Sequence, residues 1–269
     1  MPAADRPPEP GSAAGDLQLV RDAAAEAGRI AMGFFKRDQE VWLKGGQSPV
    51  SEADFAVDAF LRDTLTAARP DYGWLSEETA DSPGRLAARR TFVVDPIDGT
   101  RAFLEGKSTW CVSVAVVEAG RPLVGVLECP ARAETYQAEL GCGAFRGGVR
   151  LRVSTPGEAL AVAGPKPLIA ATPEGLRRRF RPVSYIPSLA YRLAMVASGA
   201  LDATYVKPSA HDWDLAAADL LLGEAGGALF DRDGRLLRYA GPHSTHGALA
   251  AGHGELLRAM VGVIARAGG

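Results

Sequence analysis

The stretch VVDPIDGTRAF carries two aspartates three positions apart, directly after an apolar run. Pro96 stands between Asp95 and Asp98 and stiffens the chain there. Two carboxylates held so close repel each other, so the arrangement is unfavourable unless a proton or a cation joins them. Hard cations such as Mg²⁺ take carboxylate oxygens as ligands. The stretch therefore predicts a metal site.

The two residues after the second aspartate suit an anionic substrate. Gly99 and Thr100 would offer backbone N–H groups at the start of a helical turn, and such groups bind phosphate. Two Mg²⁺ ions about 4 Å apart can activate a water and neutralise charge on both the attacking and the leaving oxygen. The segment thus has the parts needed for metal-assisted phosphoryl chemistry.

Other acidic residues also lie beside turn-forming residues, and each has a structural alternative. Asp54 stands three residues after Ser51, so it could serve only to cap a helix. Glu77 and Glu78 could be solvated surface residues. Asp214, in HDWDLAA, could be an acid in the first turn of a helix, where the helix dipole favours it.

The spacing of apolar residues predicts the elements that must position these acids. Helical spacing predicts a helix over residues 17–37 and a second from Ser51 to Pro70. Later helices are predicted at SLAYRLAMVASG and at DLAAADLLLGEAGG, which ends on two glycines. Strands are predicted at WLSEET, TFVVD, WCVSVAVVE, PLVGVLE and ETYQAEL, and GCGAFRGG is predicted as a turn-rich link.

These elements predict a disordered tail over residues 1–16 and two packed lobes. The N-terminal α+β lobe, residues 17–148, would hold the main metal site. The C-terminal α/β lobe, residues 149–269, would contribute Asp214 and the substrate specificity. The chain has 269 residues and is 47% hydrophobic, which is ample for such a core.

Charge and cysteine content narrow the class of protein. The balance of 30 Lys+Arg against 32 Asp+Glu argues against binding to a nucleic acid polymer. The three cysteines are odd in number and show no CxxC spacing, so a disulfide framework is not implied. There is no signal-peptide pattern and no run of about 18 apolar residues, so we expect a cytoplasmic protein that does not contact a membrane.

DPIDGTRAF, LSEE upstream and WDLAAADLLLGEAGG downstream together resemble the inositol monophosphatase superfamily of metal-dependent, lithium-sensitive phosphatases. The motifs stand in the family's order and spacing over residues 17–252. The resemblance implies an α/β layered sandwich, α-β-α-β-α, and hydrolysis of a phosphomonoester by water with two or three Mg²⁺ ions. It also implies a small phosphorylated substrate as the partner, and the chain could form a homodimer.

Carried over residue by residue, the resemblance assigns roles to the acids. The implied metal ligands are Glu77, Asp95, the carbonyl of Ile97, Asp98 and Asp214. Asp54 and Thr100 would orient the attacking water, and Glu78 would support the neighbouring glutamate. Gly99 and Thr100 would bind phosphate, and Lys44 resembles a basic residue on a mobile loop of the metal site.

Two cations bear on which phosphate ester is cleaved. Inositol-specific members usually place a glutamate seven residues before the aspartate of the WD motif, where this chain has Lys207. Arg192 stands near a basic residue of the bisphosphate nucleotidases. Both cations suit a second phosphate, so the resemblance favours removal of the 3'-phosphate of 3'-phosphoadenosine 5'-phosphate. We expect the metal site to lie apart from Lys207.

Other functions remain open from sequence alone. Inositol 1-phosphate, histidinol phosphate and related sugar phosphates are alternative substrates within the same family. Lys207 and Arg192 could also be surface residues without a role in specificity. An alternative from another class is a catalytically inactive module that binds metal or phosphate.

Overall fold

The computed structural model describes residues 11–37, 40–44 and 48–267. The helices are α1 (Ala13–Phe34), α2 (Glu52–Ala68), α3 (Thr100–Leu104), α4 (Lys166–Ala171), α5 (Glu174–Arg177), α6 (Leu189–Ala197), α7 (Asp212–Glu224) and α8 (Gly254–Ala267). None of the described helices is long and apolar enough to cross a membrane.

The strands of the first half are β1 (Val41–Lys44), β2 (Ser48–Ser51), β3 (Gly73–Ser76), β4 (Arg90–Asp98), β5 (Cys111–Glu118), β6 (Arg121–Cys129), β7 (Glu134–Glu139), β8 (Gly143–Arg146) and β9 (Val149–Arg150). Those of the second half are β10 (Leu160–Ala163), β11 (Phe180–Arg181), β12 (Ala203–Val206), β13 (Ala210–His211), β14 (Ala228–Phe230), β15 (Thr245–His246) and β16 (Leu249–Gly252).

A seven-stranded sheet is built in the order β3-β4-β5-β6-β7-β8-β9. β3 and β4 are parallel, and the other neighbours are antiparallel. Side chains alternate between two cores along β5, with Val114 on one face and Ala115 on the other. Apolar residues on both faces are expected of a strand that is covered on both sides. The strands predicted at TFVVD, WCVSVAVVE, PLVGVLE and ETYQAEL are confirmed.

A second sheet has the order β11-β10-β12-β16-β14, and the two sheets sandwich a pair of helices. α1 and α2 cover the outer face of the seven-stranded sheet. α6 and α7 lie between the sheets, and α4 and α8 cover the outer face of the five-stranded sheet. The predicted α-β-α-β-α sandwich is confirmed.

Helix α7 carries apolar residues on all its sides, as suits a helix that lies between two sheets. Leu220, Leu221 and Leu222 are all buried, as expected for a helix with no solvent-facing stripe. The helix approaches β6 closely, since a Cβ at Gly125 would stand 2.9 Å from the Cα of Ala217. This packing fixes the N-terminus of α7, which carries Asp214, against the seven-stranded sheet.

The first helix begins earlier than the sequence predicted. α1 starts at Ala13, so the predicted tail over residues 1–16 is too long at its C-terminal end. Ser12 caps the helix by accepting a hydrogen bond from the backbone N–H of Gly15 at 3.1 Å. The carboxylate of Asp16 is buried and accepts hydrogen bonds from Arg69 at 2.9 Å and Arg90 at 2.8 Å. These distant partners order residues that look like a tail in the sequence.

The prediction of a turn-rich link at GCGAFRGG is correct at its two ends, residues 141–142 and 147–148, and wrong at its centre. Residues 143–146 form β8, which pairs with β7, and β9 follows directly. Glycines disfavour a strand locally, but the backbone of β7 provides hydrogen-bond partners that override that preference.

Candidate metal centre

A bulge near the end of β4 directs both predicted aspartates toward the same site. Asp95 pairs with Ser113 and Asp98 pairs with Cys111, so three steps along β4 match two steps along β5. In a regular strand, residues three apart point to opposite faces, and one extra residue reverses that relation. Pro96 fits the bulge because it lacks an N–H group for the ladder.

A third carboxylate reaches the two aspartates from the C-terminal half of the chain. Single carboxylate oxygens of Asp95, Asp98 and Asp214 all lie within 4.8 Å of one another. Asp214 is the third residue of α7, and its carboxylate accepts a hydrogen bond from the backbone N–H of His211 at 2.6 Å. Its first-turn position therefore contributes to capping α7 and also brings a carboxylate to the cluster.

Ser188, which the sequence analysis missed, holds Asp98 in place. Its hydroxyl donates to a carboxylate oxygen of Asp98 at 2.5 Å. The backbone N–H groups of Leu189 and Ala190, at the start of α6, donate to the same carboxylate at 3.2 and 2.6 Å. Asp98 thus ties β4 to α6. No local sequence signal links positions ninety residues apart, so only the fold shows this contact.

Two features of the structure require glycine at position 99. Its φ is +95°, in the left-handed region that other residues rarely adopt. A Cβ there would also stand 3.0 Å from the Cβ of Ser188 and 3.2 Å from its backbone N. The bare Cα lets Ser188 come close enough to hold Asp98.

We expect Gly99→Ala to lower both stability and kcat, because it adds backbone strain and also pushes Ser188 away from Asp98. Strain of this kind costs about 1–3 kcal/mol. Gly148→Ala is the matched control, since Gly148 has φ +82° and an added Cβ would meet nothing within 4 Å. Melting curves and turnover should show a stability loss in both variants and a turnover loss in Gly99→Ala alone. Equal turnover in the two variants would contradict the positioning role of Ser188.

Glu77 lies beside the cluster at the end of β3. Ser76 pairs with Val94, and the backbone N–H of Glu77 donates to the carbonyl of Val94 at 3.2 Å, so Glu77 is next to Asp95. Its side chain lines the same cleft. Glu78 does not line that cleft, and its backbone N–H donates to the Ser76 hydroxyl at 3.3 Å.

Asp58 is a second residue that the sequence analysis missed. It is buried on α2 and its carboxylate accepts hydrogen bonds from the hydroxyl of Ser76 and, at 2.6 Å, from that of Thr79. These two hydroxyls flank the two glutamates along the chain. Asp58 therefore anchors the turn that carries Glu77 to the body of the protein.

Asp54 combines the two roles that the sequence left as alternatives. One carboxylate oxygen accepts from the backbone N–H and the hydroxyl of Ser51, at 2.7 and 2.6 Å, which is the predicted cap of α2. The other oxygen lies 3.2 Å from the hydroxyl of Thr100. The same hydroxyl lies 3.1 Å from the carbonyl oxygen of Ile97. Asp54 does not line the cleft itself but reaches it through Thr100.

The clustered acids hold their protons more tightly than free acids do. Burial, and then the charges of Glu77, Asp98 and Asp214, raise the pKa of Asp95 well above its usual range. Burial and the charge of Asp98 likewise raise the pKa of Asp214. Burial raises the pKa of Asp98 as well, although the hydrogen bonds from Ser188 and the start of α6 oppose it. Without a cation, full ionisation of this cluster is costly.

The donor set fits a hard divalent cation. It consists of oxygen atoms from carboxylates, and the buried Ile97 adds its carbonyl to the same cleft. The hydrogen bonds that orient Asp95, Asp98 and Asp214 come from backbone N–H groups and one serine hydroxyl. These donors are uncharged, so they do not neutralise the carboxylates, and a cation can still do so. Such sites suit Mg²⁺ or Mn²⁺ better than softer metals.

The cleft above the cluster has a volume of about 750 Å³ and also carries cations. Lys207 and Arg192 both line it. The charge of Lys207 lowers the pKa of Asp214, which otherwise rises by burial. The expectation that Lys207 lies apart from the metal site is therefore wrong, because Lys207 and Asp214 line the same cleft. The side chain of Lys44 lies outside the described part of the structure.

Comparisons with known proteins agree with this geometry. The sequence profile of the inositol monophosphatase family matches residues 16–265. A histidinol-phosphatase of Mycobacterium tuberculosis is 36% identical over 264 residues, covering 90% of this chain and 96% of that protein. A 3'(2'),5'-bisphosphate nucleotidase CysQ of Aggregatibacter actinomycetemcomitans is 32% identical, covering 83% of this chain and 87% of that protein. The structure of an IMPase of Thermotoga maritima superimposes with a TM-score of 0.82 at 26% identity, covering 93% of this chain and 97% of that one.

Proposed function

Because the chain belongs to the inositol monophosphatase family, whose members are metal-dependent phosphatases, we propose that it hydrolyses a phosphomonoester with two or three Mg²⁺ ions. The proposed substrate is 3'-phosphoadenosine 5'-phosphate, which would lose its 3'-phosphate. The observation that supports this most strongly is the meeting of Asp95, Asp98 and Asp214 in a cleft that also carries Lys207 and Arg192.

The acidic residues would hold the ions. Glu77, the three clustered aspartates and the carbonyl of Ile97 would be the ligands, and Asp95 is proposed as the ligand shared by two ions. When bound, Mg²⁺ favours deprotonation of a water and neutralises charge on the phosphate oxygens. Glu78 would support its neighbour Glu77 through the turn that Asp58 anchors.

Thr100 would position the attacking water. Its hydroxyl has one proton and lies between two acceptors, the Asp54 carboxylate and the Ile97 carbonyl. When the proton goes to Asp54, the lone pairs of the hydroxyl can accept a hydrogen bond from a water in the cleft. Ser51 fixes the carboxylate of Asp54 and so fixes the hydroxyl. The backbone N–H groups of Gly99 and Thr100 are proposed to bind the phosphate.

Asp54 and Thr100 should act as a unit. We expect Asp54→Asn/Thr100→Ala to have a kcat little lower than that of the poorer single variant, because residues that share one task lose it together. Ser51→Ala is the comparison variant: it removes one contact to Asp54, whose carboxylate keeps the backbone N–H of residue 51 and the hydroxyl of Thr100 as partners. It should lower the melting temperature more than kcat. Strictly additive losses in log kcat would show that the two side chains act independently, which would favour a helix-capping role for Asp54.

The two cations of the cleft support the nucleotide bisphosphate over the other substrates. A second phosphate can pair with Lys207 or Arg192, whereas inositol 1-phosphate has no second anion to offer. Histidinol phosphate, which the name of the Mycobacterium tuberculosis relative suggests, carries an ammonium group that these cations would repel.

A substrate panel with Lys207→Met tests this choice. The variant removes the charge without adding an acid beside Asp214, as Lys207→Glu would. A charge-assisted contact contributes about 1.5–3 kcal/mol, which corresponds to about a ten- to hundredfold loss of kcat/KM for the bisphosphate. We expect a much smaller loss for inositol 1-phosphate. Equal losses for both substrates would remove Lys207 as a specificity residue.

Colorimetric phosphate release separates this function from the non-catalytic alternative. An active enzyme should release phosphate from at least one member of the panel when Mg²⁺ is present. A module that only binds metal or phosphate would bind the same compounds and release none.

A further inference from the structure

A second cavity of about 600 Å³ adjoins the catalytic cleft. Gly164, Tyr185 and Arg192 line both spaces, so one opens beside the other. The cavity is formed at the edge of the five-stranded sheet by β10, β11, α4 and the loop over residues 182–186. Its size is within the range of about 300–1,000 Å³ that small-molecule sites have.

The rim of this cavity is basic in a chain of net charge −2. Lys166, Arg177 and Arg181 line it. Within the described residues these three cations make no ion pair with a carboxylate, and Arg177 donates to the carbonyl of Ala170 at 2.6 Å. Unpaired cations gathered on one rim attract an anion.

The two arginines between Arg177 and Phe180 make contacts within the protein instead. Arg178 pairs with Glu174 at 2.5 Å, and Arg179 donates to the carbonyls of Gly157 and Glu158 at 2.7 and 3.0 Å. Neither of these two arginines lines the cavity. The segment LRRRFR therefore divides its arginines between structural contacts and the cavity rim.

Arg192 connects the cavity to the cleft. Within the described residues its Nε is buried without a hydrogen-bond partner, and its terminal nitrogens lie 3.4 and 3.5 Å from the carbonyl oxygens of Ile186 and Tyr205. Burial lowers its pKa, which the charge of Asp98 opposes. A buried guanidinium with contacts this long has capacity for an anionic ligand.

The inner wall of the cavity is apolar. Ile169, Phe180 and Val183 contribute to it, and Tyr185 is 78% exposed at the junction with the cleft. An apolar wall under a basic rim suits a ligand with a ring or hydrocarbon body and a separate negative charge. Inositol, which carries a hydroxyl on each ring carbon, would leave this wall unfilled.

We propose that this cavity binds the unreactive end of the substrate, an apolar or aromatic body that carries a second anionic group. The inference rests on the proposed phosphatase function and adds a second site to it. A phosphate ester cleaved over Asp95 would extend past Lys207 and Arg192, so that its second anionic group lies between these two cations and the arginine rim and is stabilised by both. A nucleoside carrying two phosphates belongs to this chemical class.

Two double variants with the same charge change test the inference. Arg177→Gln/Arg181→Gln removes rim cations, whereas Arg178→Gln/Arg179→Gln removes cations that do not line the cavity. For adenosine 3',5'-bisphosphate we expect the rim variant to lose at least about tenfold in kcat/KM, mostly through KM, since the contact is remote from the reacting phosphate. For inositol 1-phosphate, kcat/KM of the rim variant should change less than about twofold. In the control variant, kcat/KM should stay within about twofold of wild type for both substrates.

Equal losses in the two double variants would overturn the inference, because long-range attraction would then explain them. No loss in the rim variant would overturn it as well. Melting temperatures and the single variant Arg177→Gln show whether either double variant is misfolded.

Binding of adenosine 5'-monophosphate, measured by calorimetry in chelator, gives a readout that does not need turnover. The rim variant should bind it at least about fivefold more weakly than the control variant. If no substrate of the panel is hydrolysed, the proposed function fails while this binding comparison still decides on the cavity. Inhibition by adenosine 5'-monophosphate should be competitive with substrate. Non-competitive inhibition would show a separate effector site and overturn the inference.

Discussion

Replacing Asp95 with asparagine should lower kcat by at least about a hundredfold while the protein stays folded. Substitution of a residue that only supports a metal ligand typically costs about 10–100-fold, and Asp95 is proposed as a ligand that bridges two ions. Asparagine keeps the shape of the side chain and can still accept a hydrogen bond from the backbone N–H of Ile97, which lies 3.0 Å from the carboxylate. The loss should therefore come from charge and not from packing.

Asp219→Asn is the matched control for this substitution. Asp219 lies on α7 and is half-buried; its carboxylate accepts a hydrogen bond from Tyr239 at 2.8 Å, and desolvation raises its pKa to about 6. It takes no part in the acidic cluster. Turnover at saturating Mg²⁺ should fall little in this variant. A kcat near wild type in Asp95→Asn would refute the assignment of Asp95.

Removal of the metal should lower turnover at least as much as Asp95→Asn does. With chelator present, phosphate release should fall more than about a hundredfold, since the cations contribute several kcal/mol of charge stabilisation in the transition state. Addition of excess Mg²⁺ should restore it. Full activity in chelator, with metal content shown to be negligible, would exclude the proposed chemistry.

The acidic half of the site is predictable from sequence because its ligands stand in short motifs. The Asp-Pro-Ile-Asp stretch signals the paired carboxylates, and the Trp-Asp motif identifies Asp214. The motifs do not contain the residues that hold these ligands in position. Ser188 holds Asp98 from ninety positions away, and Asp58 holds the turn of Glu77 from α2. Such contacts depend on how α2 and α6 pack, which no local pattern encodes.

The two wrong predictions about elements have the same origin. The sequence predicts too late a start for α1 because Asp16 is ordered by Arg69 and Arg90, far along the chain. It predicts a turn at β8 because glycines surround this strand, although β7 pairs with it. Lys207 and Asp214 line one cleft although Lys207 follows β12 and Asp214 lies on α7, which no local pattern encodes. Tertiary contacts decided each case.

Burial of Asp95 and charge repulsion within the acidic cluster make the stability of the metal-free fold depend on pH. In the metal-free fold the pKa of Asp95 is raised, so the folded state binds its proton more tightly than the unfolded chain does. The stability that Asp95 contributes is therefore complete below its unfolded pKa of about 4 and is lost as the pH rises through the folded pKa. At neutral pH, a bound cation or the loss of the charge should relieve this cost.

Thermal melting of wild type and Asp95→Asn at pH 7, each in chelator and in saturating Mg²⁺, tests the metal assignment most directly. In chelator the variant should melt above wild type by a few degrees, since about 1 kcal/mol shifts the midpoint of a chain this size by about 2–4 °C. In Mg²⁺ wild type should gain stability and the variant should gain much less, so that the order of the two reverses. A variant that is less stable than wild type in chelator and gains as much from Mg²⁺ would contradict a cation site built on Asp95.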